Sequence, residues 1–263
     1  MLNKKVYVNG VSVIIPGMED SSESLKILKG HKNWQAKALS KMIPSLLPAN
    51  EARRTTTVIR LALKVIELVE YNNDITLAVF ASSEGDLGIA DKICKTLATE
   101  TKMVSPTLFH NSVHNAPAGY FSISANMKTP STSLSAGDNT FSAGLIEAVS
   151  QVLVEENDVL LVAYDNVIPD NLDGFRHFEY PVAISLLLSA NKEIGTIASI
   201  DISIADQQQR ITQCFNDSLE KVRVGNPIGL GLPLVEALVS KMDTKIFIPY
   251  LNQNQLLVKV NNA

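Results

Sequence analysis

The chain has little of what small-site chemistry is usually built from. Two cysteines, Cys94 and Cys214, stand in 263 residues. That excludes a disulfide scaffold and a cysteine-based zinc site. There is a single tryptophan, and only four histidines. Charged residues make up 19% and carry a net charge of −4, with no basic run. Such a surface is a poor general binder of nucleic acid. No apolar run reaches the roughly 20 residues of a membrane span. The best, Pro181–Ala190, is too short. Lys4 and Lys5 precede apolar residues, but Val6, Val8, Val11 and Val13 are interleaved with Asn9, Gly10 and Ser12, and Pro16-Gly17 ends the run. This reads as a strand and turn with no A-x-A cleavage site, so no targeting segment and a cytoplasmic home are expected.

Hydrophobic residues make up 46%, which excludes a largely disordered chain. At this length roughly 70–75% of the surface can be buried on folding. Lys5–Ile15 reads as the first strand, and the Ser/Glu-rich stretch Met18–Gly30 as loop. Trp34–Leu47 has apolar residues at helical spacing, broken by Pro44 and Pro48. A firmer helix is expected from Thr55 to Val69, with Val58, Leu61, Ala62, Val65 and Leu68 on one face. Ile75–Ala81 and Asp158–Tyr164 read as strands buried on both faces. Between them come a helix capped by Asp86, a helix over Val113–Ala125 with Pro117 in its first turn, a strand over Ser131–Ala136, and a helix to Val154 capped by Asn139 or Thr140. Pro181–Ser189 and Thr196–Ile204 follow, joined by a hairpin-like connection. The tail holds a helix, Leu232–Met242, and strands Lys245–Pro249 and Leu256–Val260. The order implies an α/β layered fold with a mixed sheet.

From Met103 to Ile146 the only formally charged side chains are Lys128 and Asp138. Charge is depleted where surface is dry, so this segment is either the domain centre or meets a partner subunit.

Three small constellations have competing readings. His110 and His114 stand at i, i+4 and could share a metal, but no glutamate follows His110 and no third ligand is evident; hydrogen bonding at a helix start is the alternative. Ser142, in Thr140-Phe141-Ser142-Ala143-Gly144, resembles a nucleophile elbow with threonine in place of the first glycine; helix capping is the alternative. Gly229-Leu230-Gly231 lacks the last glycine of a dinucleotide fingerprint and reads as a flexible connection into the last helix. Neither cysteine sits in a motif.

Val113-His114-Asn115-Ala116-Pro117-Ala118-Gly119-Tyr120-Phe121-Ser122-Ile123 resembles the Asn-x-x-Ala-Gly helix of β-ketoacyl-acyl carrier protein synthases. PSTSLSAGDNTFSAG, Pro130 to Gly144, is similar to that family's strand and Thr-Ala-Cys-x-x-Gly segment. Val6–Val13 with Pro16, Arg53–Leu68, Asp158–Tyr164 and Pro181–Ile204 follow in the family's order. The resemblance covers residues 1–204 and implies a thiolase-like layered sandwich: one complete half, 1–204, plus a truncated second half, 205–263, packing on the same core. It implies a dimer, and a chemistry that needs a cysteine at a helix N-terminus to take the acyl chain, two histidines (or His and Asn) to stabilise the enolate, and a supporting lysine.

The sequence departs from that pattern. Counting back from Gly144, the nucleophile position falls on Phe141, which cannot form a thioester. The tail is too short for an equal half and holds no histidine. The resemblance is then to noncatalytic chain-length factors, and among these to the synthase-like subunits of bacterial aryl-polyene clusters. It implies no catalytic residue, no cofactor and no metal. The partner would be a catalytic ketosynthase in a heterodimer, with acyl carrier protein engaged indirectly. The tunnel or interface residues would be Asn115, Pro117, Tyr120, Phe121, Ser133, Leu134, Thr140 and Phe141, with Ser131–Ala136 pairing across the dimer. Two alternatives stay open. One is a serine acyltransferase or hydrolase using Ser142 with His114 or His110. The other is a homodimeric scaffold that binds acyl carrier protein, with Lys4, Lys5, Arg53 and Arg54 as candidate contacts.

Overall fold

The structure, a computed structural model, describes residues 5–19, 21–72, 74, 76–205 and 208–263. Lys4 and Ile75 lie outside them. The elements run β1 (Val6–Ile14), α1 (Ser21–Leu28), α2 (Ala49–Ala52), α3 (Thr57–Ile66), β2 (Leu77–Ala81), α4 (Leu87–Leu97), α5 (Pro106–Asn111), α6 (Ala116–Ser124), β3 (Ser131–Leu134), α7 (Thr140–Glu155), β4 (Val159–Asp165), β5 (Val182–Ser189), β6 (Ala198–Ile204), α8 (Glu220–Gly225), α9 (Leu232–Val239), β7 (Thr244–Pro249) and β8 (Gln255–Asn262).

One eight-stranded sheet has the order β3-β2-β4-β5-β1-β6-β8-β7. The pairs β3·β2 and β2·β4 are parallel and the remaining five are antiparallel. The continuous apolar runs of β2, β4 and β5 are buried along their whole length. Alternate side chains feed two cores on opposite faces. Val159, Leu161 and Ala163 meet Phe141, Leu145, Ala148 and Val152 of α7. Leu160, Val162 and Tyr164 meet Ile59, Ala62 and Val65 of α3. The tail extends the same sheet: β8 pairs with β6 from Ala198↔Asn262 to Ile204↔Leu256, and β7 pairs with β8.

Several local expectations are corrected. β5 and β6 do not form a hairpin, because β1 lies between them: Tyr7 faces Ser189 on one side and Ser199 on the other. The buried Val6 and Val8 give β1 its place in the sheet interior. No helix forms over Trp34–Leu47. The chain there runs without regular structure, with Trp34 buried and its indole N–H donating to the Pro16 carbonyl at 2.8 Å. The stretch Met18–Gly30 holds helix α1, whose Ser24, Ile27 and Leu28 are buried on one side. The long helix ends at Ile66, which leaves Leu68 of its expected face 43% exposed.

Candidate functional site

The carboxyl ends of the parallel strands β3, β2 and β4 open toward the N-terminus of α7, the usual place for a site in such a sheet. The chain enters α7 through Gly137, at φ +56°. Thr140 is the first helical residue, and its hydroxyl donates to the Gly137 carbonyl (2.7 Å) and accepts from the Ala136 N–H (2.9 Å). Asn139 makes no side-chain cap. Phe141 follows, fully buried, with its ring in the core beneath the tail. Ser142 is also fully buried, and its hydroxyl donates to the Pro249 carbonyl at 2.7 Å.

Beside this helix start lies a buried polar network that no sequence motif announces. Asp165, at the end of β4, is 1% exposed. It accepts from the Ser82 hydroxyl (2.7 Å), the Ser83 N–H (3.0 Å) and the Ser83 hydroxyl. Burial pushes its carboxyl up to about 7 despite these donors. Ser135, after β3, donates to the Ser83 carbonyl (2.8 Å). Above it, Arg176 bridges Glu84 (2.7 Å) and Asp138 (2.6 Å), tying the β4–β5 connection to the loop after β2 and the turn before α7. The network therefore fixes three loops around the head of α7.

The two histidines point to different partners. His114 Nε2 lies 2.9 Å from the Ser82 carbonyl, and the His110 ring meets Tyr120 edge-on at 6.1 Å. Among the described residues no three metal-ligating side chains converge. The two rings thus make separate contacts. The Ser142 hydroxyl donates to the Pro249 carbonyl, and His114 Nε2 lies against the Ser82 carbonyl. Gly229-Leu230-Gly231 is not a flexible connection. It lies in a buried 3₁₀ turn, Pro227–Gly231, and a Cβ on Gly229 would lie 2.4 Å from the Val222 carbonyl oxygen. Burial, followed by the neighbouring carboxylates of Glu236 and Glu220, drives the Cys214 thiol up, which leaves it inert.

The expected tunnel residues divide into two groups. Pro117, Phe121, Thr140 and Phe141 are buried. Asn115 and Ser133, with His114, Ala118, Gly119, Ser122 and Ser131, line an open cleft of about 520 Å³ between α6 and β3. Tyr120 and Leu134 are half-buried nearby; the Tyr120 hydroxyl donates to Asn111 Oδ1 at 3.0 Å. β3 ends the sheet, and no strand pairs with its outer edge among the described residues. The flanking α5–α6 region exposes Met103 (80%), Phe109 (69%), Val113 (51%) and Ile123 (84%). The charge-poor segment is thus core at Phe121 and Phe141 and uncovered apolar surface at Phe109 and Ile123.

A mixed sheet ending in three parallel strands, with a buried helix rising from their carboxyl ends, is the ketosynthase form of the thiolase-like fold. The model of the β-ketoacyl synthase N-terminal domain matches residues 29–224, and the chain belongs to that family. No curated protein matches it. Among solved structures, it superimposes on a chain of the complex of ketosynthase ApeO with its chain length factor ApeC from Xenorhabdus doucetiae. The TM-score is 0.70 at 22% identity, covering 97% of this chain and 99% of that one. A chain of the ishigamide ketosynthase/chain length factor gives 0.72 at 8%, covering 98% and 99%. A chain of AntDE:AntF, a type II PKS acyl-carrier protein in complex with its ketosynthase, gives 0.71 at 13% over the whole of both. At these identities the likeness is one of fold.

Proposed function

We propose that this chain is a noncatalytic ketosynthase-like subunit, a chain-length factor. It pairs with an active β-ketoacyl-acyl carrier protein synthase in type II polyketide biosynthesis of the aryl-polyene kind. The observation that carries the reading is Phe141. In this reading it takes the nucleophile position of the family pattern, three residues before Gly144; it is fully buried, and its side chain has no atom that can attack a thioester. Ser142 is no substitute in this reading, being fully buried with its hydroxyl donated to the Pro249 carbonyl. In this reading residues 1–204 are the ketosynthase-like half, and 205–263 pack on the same core.

The uncovered margin supports a partner. The free edge of β3 and the exposed Phe109, Val113 and Ile123 would be covered by a second subunit. Asn115, Tyr120, Ser133 and Leu134 lie on this margin and are proposed to shape the acyl tunnel there. The acyl carrier protein would then deliver its cargo to the synthase and meet this chain only indirectly, in the cytoplasm. An obligate interface of this kind buries more than about 2,000 Å².

The test is co-expression with the full-length synthase encoded beside it, with the mass of the complex read by light scattering after size exclusion. One copy of each chain in a stable complex is the expected result. A well-folded chain that ignores the synthase would overturn the reading.

A further inference from the structure

Helix α7 is approached by other atoms at two glycines. A Cβ on Gly144 would lie 2.8 Å from Ala81 Cβ and 3.1 Å from Leu161 Cδ1, so the helix can settle onto β2 and β4 only with glycine there. The second approach comes from the tail. A Cβ on Gly231 would lie 2.4 Å from both Cε2 and Cζ of Phe141, and 2.8 Å from its Cδ2. The backbone at Gly231 does not itself call for glycine: its φ is −81° and its ψ −12°, an ordinary right-handed helical conformation. What excludes a side chain at this position is the ring of Phe141.

The seat is built to stay in place. Asn226, itself 2% exposed, accepts from the Ile228 N–H (2.8 Å) and donates to the Tyr180 carbonyl (2.9 Å), pinning the start of the Pro227–Gly231 turn. Leu232 and Leu234 continue into the core from its other end. The turn therefore cannot retreat readily from the ring.

We infer that Gly231 is a positioning residue for Phe141: it sets the depth at which the ring closes the head of α7, and the closing wall is tail segment 226–231. The functional meaning, that this chain's own acyl position is shut by a pair of residues from its two segments, rests on the reading of Phe141 proposed above. The pairing itself does not.

The experiment is a double-mutant cycle on the full chain, with an apolar probe. Gly231→Ala should lower the thermal midpoint by about 5 °C through overpacking. Gly231→Ala combined with Phe141→Leu should lose clearly less than the sum of the two single changes. Phe141→Ala should open a dry cavity that takes up benzene beyond any taken up by the unchanged chain, and adding Gly231→Val should abolish that extra uptake. If Gly231→Ala does not fold, folding of the double variant is itself the expected rescue. Additive losses, or a double variant that stays unfolded while Phe141→Leu folds, would overturn the inference. All these measurements are made without a synthase, so failure of the pairing and failure of the partner reading are separate results.

Discussion

The head of α7 and the β3–α6 margin belong to one charge-poor stretch of sequence, yet the fold treats them in opposite ways. At the head of α7, Phe141 has no exposed surface, and the tail turn lies against its ring. At the margin, Phe109 and Ile123 stand largely in solvent beside an unpaired strand edge. Depletion of charge has two physical causes, burial within the chain and burial against another chain, and composition registers only their sum. The closed region is finished by the chain itself. The open region is left uncovered by the described residues of this chain, and the proposed partner would finish it.

The sharpest way to break this comparison is to truncate one apolar side chain in each region. Phe141→Ala should cost about 3–5 kcal/mol, because it removes a buried ring from a packed core and leaves a cavity. Ile123→Ala should change the stability of the isolated chain by no more than about 0.5 kcal/mol, since its side chain already faces water. Urea unfolding of the isolated chain measures both. In a complex with the synthase the ranking should narrow, with Ile123→Asp weakening association while Phe141→Ala leaves it. A loss at Ile123 comparable to that at Phe141 in the isolated chain would erase the distinction between the two regions.

Much of the closed region was legible from the sequence. The uninterrupted apolar runs of β4 and β5 and the 3.6-residue spacing in α3 mark elements whose local pattern agrees with their burial. What escaped depends on contacts between distant residues. The connection after Ser189 looks like a hairpin until β1, from the other end of the chain, takes the place between its strands. The apolar spacing in Trp34–Leu47 mimics a helix, whereas Trp34 lies outside regular structure, its ring hydrogen-bonded to the Pro16 carbonyl and edge-on to Tyr180 at 5.2 Å. Helix α1 hides behind serines and glutamate at its start. At the site, the apolar Phe141 at the start of a helix was legible as a buried residue, while the Asp165 network and the Gly231 contact were not. Both join residues more than 80 positions apart, and neither leaves a spacing to read.

A smaller effect sharpens the comparison from the polar side. Burial raises Asp165, beside the head of α7, from 3.8 to about 7, and Glu236, on helix α9 of the tail, from 4.5 to about 7. Glu236 accepts from the Phe215 and Asn216 N–H groups at 2.8 Å each. In the folded chain each carboxyl holds its proton to higher pH than in the unfolded chain. Between the two values the folded state binds more protons, so stability falls as pH rises. Each group contributes a loss of about 2 kcal/mol between pH 5 and pH 7, on the order of one proton over two pH units. Thermal unfolding across that range should show the decline, and Asp165→Asn should flatten its share of the slope. A midpoint that rises from pH 5 to pH 7 would mean that the donors, rather than burial, govern these carboxyls.

A weaker tie than either carboxyl lies at the rim between the two regions. Arg176 reaches Glu84 with Nε and Asp138 with Nη1, and its guanidinium lies 5.1 Å from the centroid of the Phe178 ring. Its side chain is about a quarter exposed and that of Asp138 is mostly exposed, so solvent screens much of the attraction. Arg176→Met keeps the aliphatic stem and removes the charge. It should cost about 1 kcal/mol or less, and the cost should shrink further in high salt. The informative readout is local. Amide hydrogen exchange in the Glu84 loop and the Gly137–Asn139 turn should quicken, while exchange in α6 and β3 stays as it was. Arg176 ties three loops of the closed region together, whereas the margin is tied by other bonds, Asn111 to the Arg54 carbonyl and Gln151 to Thr132, that do not pass through it. Faster exchange at the margin instead would place the link between the regions in Arg176, and the two could then no longer be treated as independent.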